Sequence, residues 1–154
     1  MAAFDRPRFW ADAMLGGLAR WLRVLGYDTR YEPYICDQAL VQRARAEARI
    51  VLTRDRALAR ALSPEEVLWI AHLRPLEQLQ EVIARFALDT RSGLFSRCLR
   101  CNAALEPASW SAHRHRLPSG PRIRTEPVLY RCPCCDRLYW EGGHVARMRR
   151  LLGV

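Results

Sequence analysis

The first ninety residues alternate short apolar runs with amphipathic helical stripes, and that alternation leaves few folds open. "IVLT" (50–53) and "VLWIA" (67–71) are continuously apolar, as strands of a parallel sheet covered on both faces are. Phe9 to Ala13 is a third such run, and Tyr27, Thr29 and Tyr31 alternate as in a strand. Between them, Leu15, Leu18, Leu22 and Leu25 recur at helical spacing, ended by Gly26 at a C′ position. Leu40, Val41, Ala44 and Ala48 share one face of a second helix over 38–48. A helical turn over 57–62 stops at Ser63-Pro64, and Leu76, Leu79, Val82, Ile83 and Phe86 mark a last helix. Strand–helix alternation of this kind predicts an α/β domain with a parallel sheet between helices, residues 1–90.

Near residue 90 the texture changes. "DTRSG" reads as a linker, and residues 91–154 are short of aliphatics but rich in Cys, Arg and turn formers. A weak β pattern runs from Cys98 to Trp140, with a turn at 117–121. A final helix over 144–152 offers Val145, Met148, Leu151 and Leu152 for docking. The expectation is a small β-rich zinc ribbon with a C-terminal helix.

Charge divides the chain the same way. All 25 basic side chains are Arg, and the net charge of +9 splits into +1 for residues 1–90 and +8 for 91–154. Compositional bias accounts for the missing Lys but not for the asymmetry, which points to a polyanion, most simply nucleic acid. No apolar run approaches the roughly 18 residues of a membrane span, and no basic-then-apolar leader opens the sequence. A cytoplasmic protein with no membrane partner is therefore expected. Its six cysteines then read as reduced thiols and metal ligands rather than disulfides.

Cys98-Leu-Arg-Cys101 and Cys132-Pro-Cys-Cys135 form two C-x-x-C pairs thirty residues apart, a spacing that suits a closed tetrahedral Zn²⁺ site. Cys135 is preferred to Cys134 because it preserves the spacing of the first pair. Cys-Pro-x-Cys is also a redox signature, but such motifs open a helix, whereas Asp136 to Gly143 reads as strand and turn. His113, His115 and His144 are reserve ligands that four cysteines leave unneeded. Cys36 is expected to be a buried small apolar residue.

Three aspartates occupy equivalent places in the α/β part. Asp12 ends the first strand, Asp37 precedes the second helix and Asp55 follows "IVLTR". Each alone reads as a helix N-cap. Together they belong to the carboxyl ends of parallel strands, which gather on one edge, and clustered carboxylates call for a hard cation such as Mg²⁺ or Mn²⁺. Thr53 could add a hydroxyl ligand or orient an aspartate. Arg20, Arg23, Arg54 and Arg56 lie near these acids in sequence and could hold phosphates. Gly16-Gly17 follows a strand, but G-x-G-x-x-G and a P-loop Lys are absent, so no nucleotide cofactor is expected.

"FWADAMLGGLARWLRVLGYDT", "DQALVQRARAEARIVLTRD" and "RCLRCNAAL…RCPCCDRLYWEGGHVARM" together resemble the Mut-seven C-terminal RNase domain family over roughly residues 8–150. The resemblance implies a PIN-like nuclease fold with a C-terminal zinc ribbon, and a metal-dependent ribonuclease that cleaves endonucleolytically. By position, the family's first, middle and late acids match Asp12, Asp37 and Asp55. Arg56 and Arg60 stand where many PIN domains carry a fourth acid. RNA would be gripped by Arg97, Arg100, Arg114, Arg116, Arg122 and Arg124 of the ribbon. The rival expectation is a non-catalytic RNA- or ribosome-binding zinc-ribbon protein.

Overall fold

The computed structural model describes residues 6–118 and 126–154. Arg122, Arg124 and part of the turn expected at 117–121 lie outside the described residues. Two compact units form, Met1–Asn102 and Ala103–Val154.

The first unit is a parallel four-stranded sheet with helices on both faces. Its strands are β1 (Phe9–Ala11), β2 (Thr29–Tyr31), β3 (Ile50–Thr53) and β4 (Val67–Trp69), in the order β2-β1-β3-β4. Trp10 lies opposite Arg30 on one side and Val51 on the other, and Val51 opposite Val67. The two central strands are those with the most continuous apolar sequence, and Phe9, Trp10, Ala11, Val51 and Leu52 are all buried.

Residue alternation then sorts the two helical layers. Trp10 and Val51 point to the face covered by α2 (Asp37–Ala46) and α3 (Arg56–Ala61), where they pack with Leu40, Ala44 and Leu58. Phe9 points to the other face, with its ring 5.5 Å from that of Phe86 in α4 (Pro75–Phe86) and 6.1 Å from that of Tyr27. Helix α1 (Gly16–Val24) packs against α4 and buries Leu18, Ala19 and Leu22. Each buried leucine contributes about 1.5–3 kcal/mol relative to exposure. Gly26 ends α1 with φ +84°, and a Cβ there would lie 2.1 Å from the Gly93 carbonyl oxygen, so the predicted C′ glycine is required twice over.

Composition changes near residue 90, yet the compact unit continues to Asn102. The amide of Phe95 donates to the Val24 carbonyl, and the amide of Thr29 in β2 donates to Asn102 Oδ1. Local composition misses such long-range hydrogen bonds.

The second unit carries an antiparallel sheet, β5 (Glu106–Ala108), β6 (Leu129–Arg131) and β7 (Leu138–Trp140), with β6 central. Leu129 pairs with Trp140 and Arg131 with Leu138. A short helix α5 (Trp110–His113) interrupts the region expected to be only β, and α6 (Gly143–Leu152) closes the chain. Helix α6 has no fully buried residue; Val145, Met148 and Leu152 are half-buried and Leu151 is exposed. Among the described residues no helix is long and apolar enough to cross a membrane.

Candidate functional site

Two groups of residues carry chemistry. The first is the cysteine centre. One sulfur from each of Cys98, Cys101, Cys132 and Cys135 lies within 4.8 Å of the others. Tetrahedral Zn²⁺ with Zn–S bonds of about 2.3 Å requires sulfurs roughly 3.8 Å apart, so the donor set and its spacing fit that ion. Both C-x-x-C turns share one construction. The amides of Cys101 and Cys135 point at the sulfurs of Cys98 and Cys132, at 3.5 and 3.4 Å. The next residue, Asn102 or Asp136, adopts positive φ (69° and 59°) and donates its amide to the carbonyl of the first cysteine. Asn and Asp are the non-glycine residues that tolerate this conformation best, so C-x-x-C-N and C-x-x-C-D were a usable sequence signal.

Cys134 is exposed and stands outside the group, in keeping with the choice of Cys135. None of the reserve histidines joins it. Cys36, expected to be buried, is exposed immediately before α2, in a connection from β2 where Pro33, Tyr34 and Asp37 are exposed as well.

Side chains of the first unit brace the Cys98–Cys101 turn. Arg23 is only 6% exposed; its Nε donates to the Thr29 carbonyl and its Nη1 to those of Leu99 and Arg100. This corrects the expectation that Arg23 holds phosphate, since its guanidinium is enclosed and committed to the backbone. Arg97 is half-buried and donates to the carbonyls of Gly26 and Asn102. Asn102 Nδ2 reaches Asp28, which also receives two hydrogen bonds from the buried Arg49. Burial works to raise the Asp28 carboxyl, but hydrogen bonds from Arg49 and Asn102 and the charges of Arg49 and Arg97 hold it below its ordinary value.

The second group lies past the carboxyl ends of the parallel strands. Asp12 follows β1, is 7% exposed, and caps the 3-10 turn Ala13–Leu15 by accepting from the Ala13 amide at 2.6 Å. Its other oxygen accepts from the fully buried Thr53 hydroxyl at 2.8 Å. Thr53 Oγ1 in turn accepts from the Asp55 amide at 3.0 Å. Asp55 Oδ1 caps α3 through the amides of Ala57 and Leu58. Asp12, Thr53 and Asp55 thus form one hydrogen-bonded chain across neighbouring strand ends. Asp37 opens α2 beyond the edge strand β2 and is exposed. Among the described residues, the cysteines are the only group of three or more His, Cys, Asp or Glu side chains brought within ligand distance, so the three aspartates share an edge without closing around one point.

Sequence reasoning passed over a fourth carboxylate on this edge. Glu81 of α4 accepts from the amides of Ala71 and His72 and pairs with His72 Nδ1 at 2.8 Å. Burial works to raise its carboxyl, but these hydrogen bonds hold it below its ordinary value. Nothing in the helical stripe marks Glu81, because its partners come from the loop after β4. Of the arginines expected at the acids, Arg20 and Arg56 are exposed. Arg56 lies over the Trp69 ring at 4.1 Å, and Arg54 donates to the carbonyls of Ala71 and His72. Arg100 and Arg114 are exposed, while Arg116 is paired with Asp136 at 3.1 Å.

Sheet, flanking helices and cysteines define an α/β protein with a four-cysteine centre able to hold a metal ion. The chain belongs to the Mut7-C RNAse domain family, whose model matches residues 7–152. Comparison with curated proteins finds no match.

Proposed function

We propose that the protein is a divalent-cation-dependent ribonuclease of PIN-like architecture that hydrolyses RNA phosphodiesters internally. The reading rests on the Asp12–Thr53–Asp55 chain at adjacent strand ends, in a member of a family described as an RNase domain. Carboxyl edges of parallel sheets are the usual seat of chemistry in open α/β folds. Thr53 holds the buried Asp12 carboxylate in one rotamer. Asp55 commits Oδ1 to its cap and keeps Oδ2 free of hydrogen bonds among the described residues. Asp37 completes the acid set from the far side of the same edge. Mg²⁺ or Mn²⁺, when bound, supplies Lewis-acid stabilisation of the phosphoryl oxygens. Arg20, Arg54 and Arg56 attract the strand toward this edge.

In this reading residues 1–90 form the nuclease domain and 91–154 an Arg-rich ribbon that takes structural Zn²⁺ on its four cysteines. The ribbon adds phosphate contacts through Arg100, Arg114, Arg116, Arg122 and Arg124. The second reading, RNA binding without cleavage, is favoured by one observation: Asp12 and Asp55 already serve as helix caps. Asn caps about as well as Asp, so Asp12→Asn and Asp55→Asn separate the two. RNA cleavage that depends on Mg²⁺ or Mn²⁺ in the wild type and is lost in both folded variants supports the nuclease. Tight binding with no cleavage under any cation supports the binding module.

A further inference from the structure

Among its described residues the first unit exposes three large apolar or aromatic side chains: Met14 (70%), Tyr34 (98%) and Leu73 (77%). All three follow the carboxyl ends of parallel strands: Met14 after β1, Tyr34 after β2 and Leu73 after β4. Chance exposure would scatter them over both edges and the helical faces. Exposed apolar groups gathered at one place mark a contact surface.

Two glycines bring the carriers of these residues together. The turn that bears Met14 runs into Gly16 and Gly17. A Cβ on Gly16 would lie 2.9 Å from the Tyr31 ring, and one on Gly17 2.8 Å from Pro75. The Tyr31 hydroxyl also donates to the Ala13 carbonyl at 2.9 Å. The Met14 turn is therefore wedged between the end of β2, which leads to Tyr34, and the start of α4, which Leu73 precedes. Tyr34, Met14 and Leu73 come in that order along the edge. Arg56, which follows β3, and Arg74, next to Leu73, are exposed at the same strand ends, and Arg20 is exposed one turn along α1.

We infer that this edge is a base-stacking platform for unpaired nucleotides, with Tyr34 as its principal ring and Met14 and Leu73 extending the apolar surface; the inference rests on the RNA reading above. A single strand offers phosphates to arginine and free base faces to aromatic and apolar side chains, the combination displayed here. A duplex offers only phosphates and sugars at that distance, because its base faces are already stacked. A protein partner could use the apolar residues too, but an unpaired strand brings together phosphates for arginine and base faces for the Tyr34 ring.

The test uses the whole chain, residues 1–154, zinc-loaded and without added divalent cation. Its affinity is measured for a short unstructured RNA, for the duplex of the same sequence, and for the same strand with abasic positions. Expected are tighter binding of the single strand than of the duplex and a loss of about tenfold for the abasic strand. Tyr34→Ala costs a similar factor on the normal strand and nothing further on the abasic one, and Tyr34→Phe restores binding. A 2-aminopurine base in the strand is quenched by the wild type and by Tyr34→Phe but not by Tyr34→Ala. RNA binding with no preference among the three ligands and no effect of Tyr34→Ala overturns the platform and leaves the RNA reading intact. Absence of binding to all three, both without cation and with Ca²⁺ added in place of Mg²⁺ or Mn²⁺, overturns both. Self-association that Tyr34→Ala, Met14→Ala and Leu73→Ala abolish, with RNA affinity unchanged, assigns the surface to a second copy of the chain and overturns the platform.

Discussion

Thr53→Val tests whether the hydroxyl between two strand ends organises the acidic edge. Valine keeps the branched shape, so packing at this fully buried position is conserved and only the oxygen is lost. Two hydrogen bonds go with it. The bond to Asp12, at 2.8 Å, has a carboxylate oxygen as acceptor in a residue 7% exposed and is worth about 1.5–3 kcal/mol. The bond from the Asp55 amide, at 3.0 Å, is an ordinary one worth about 0.5–1.5 kcal/mol. A total loss of about 2–4.5 kcal/mol is expected, measured by urea unfolding of the zinc-loaded protein followed by tryptophan fluorescence. A double-mutant cycle with Asp12→Ala isolates the shared bond, because the cap to Ala13 is lost in both arms that carry that change. The coupling energy should be at least about 1 kcal/mol. A coupling below about 0.3 kcal/mol, or a Thr53→Val variant as stable as wild type, would show that Thr53 does not hold Asp12.

Zinc analysis of the purified protein should find about one ion per chain; Cys134→Ser keeps it and Cys135→Ser loses it, and the opposite result would move the ligand by one residue. Arg23→Met should lower stability by about 2–3 kcal/mol, since three carbonyls lose a charged donor, while leaving the salt dependence of RNA binding unchanged. A flatter salt slope would return Arg23 to the phosphate-binding set. Asp28 has a lowered carboxyl pKa, so its stabilising contribution is complete above the unfolded value of about 3.9 and is lost as pH falls through the folded value. Asp28→Asn should therefore flatten part of the decline in stability below about pH 4, read from urea midpoints across the acid range; an unchanged acid limb would refute this.

The sequence by itself determined the elements whose cause is local. The apolar runs at 9–13 and 50–53 yielded the two central strands, the first of them ending at Ala11, and the helical stripes became α1, α2 and α4 within a residue or two of their expected ends. Each C-x-x-C turn is closed by hydrogen bonds within five residues, so the two sulfurs of each turn converge as expected. Tertiary structure decided everything that depends on partners far along the chain. Arg20 and Arg23 are three residues apart on one helix, yet one is exposed and the other is enclosed by carbonyls more than seventy residues away. Glu81 acquired its role from a loop nine and ten residues earlier, and Cys36 its exposure from the path between β2 and α2. The order β2-β1-β3-β4 put the ends of β1 and β3 side by side, so Asp12 and Asp55 were joined through Thr53 while Asp37 was left across the edge. A residue's type and spacing set what it can do within one or two turns of chain; which segment packs against it sets whether it does so.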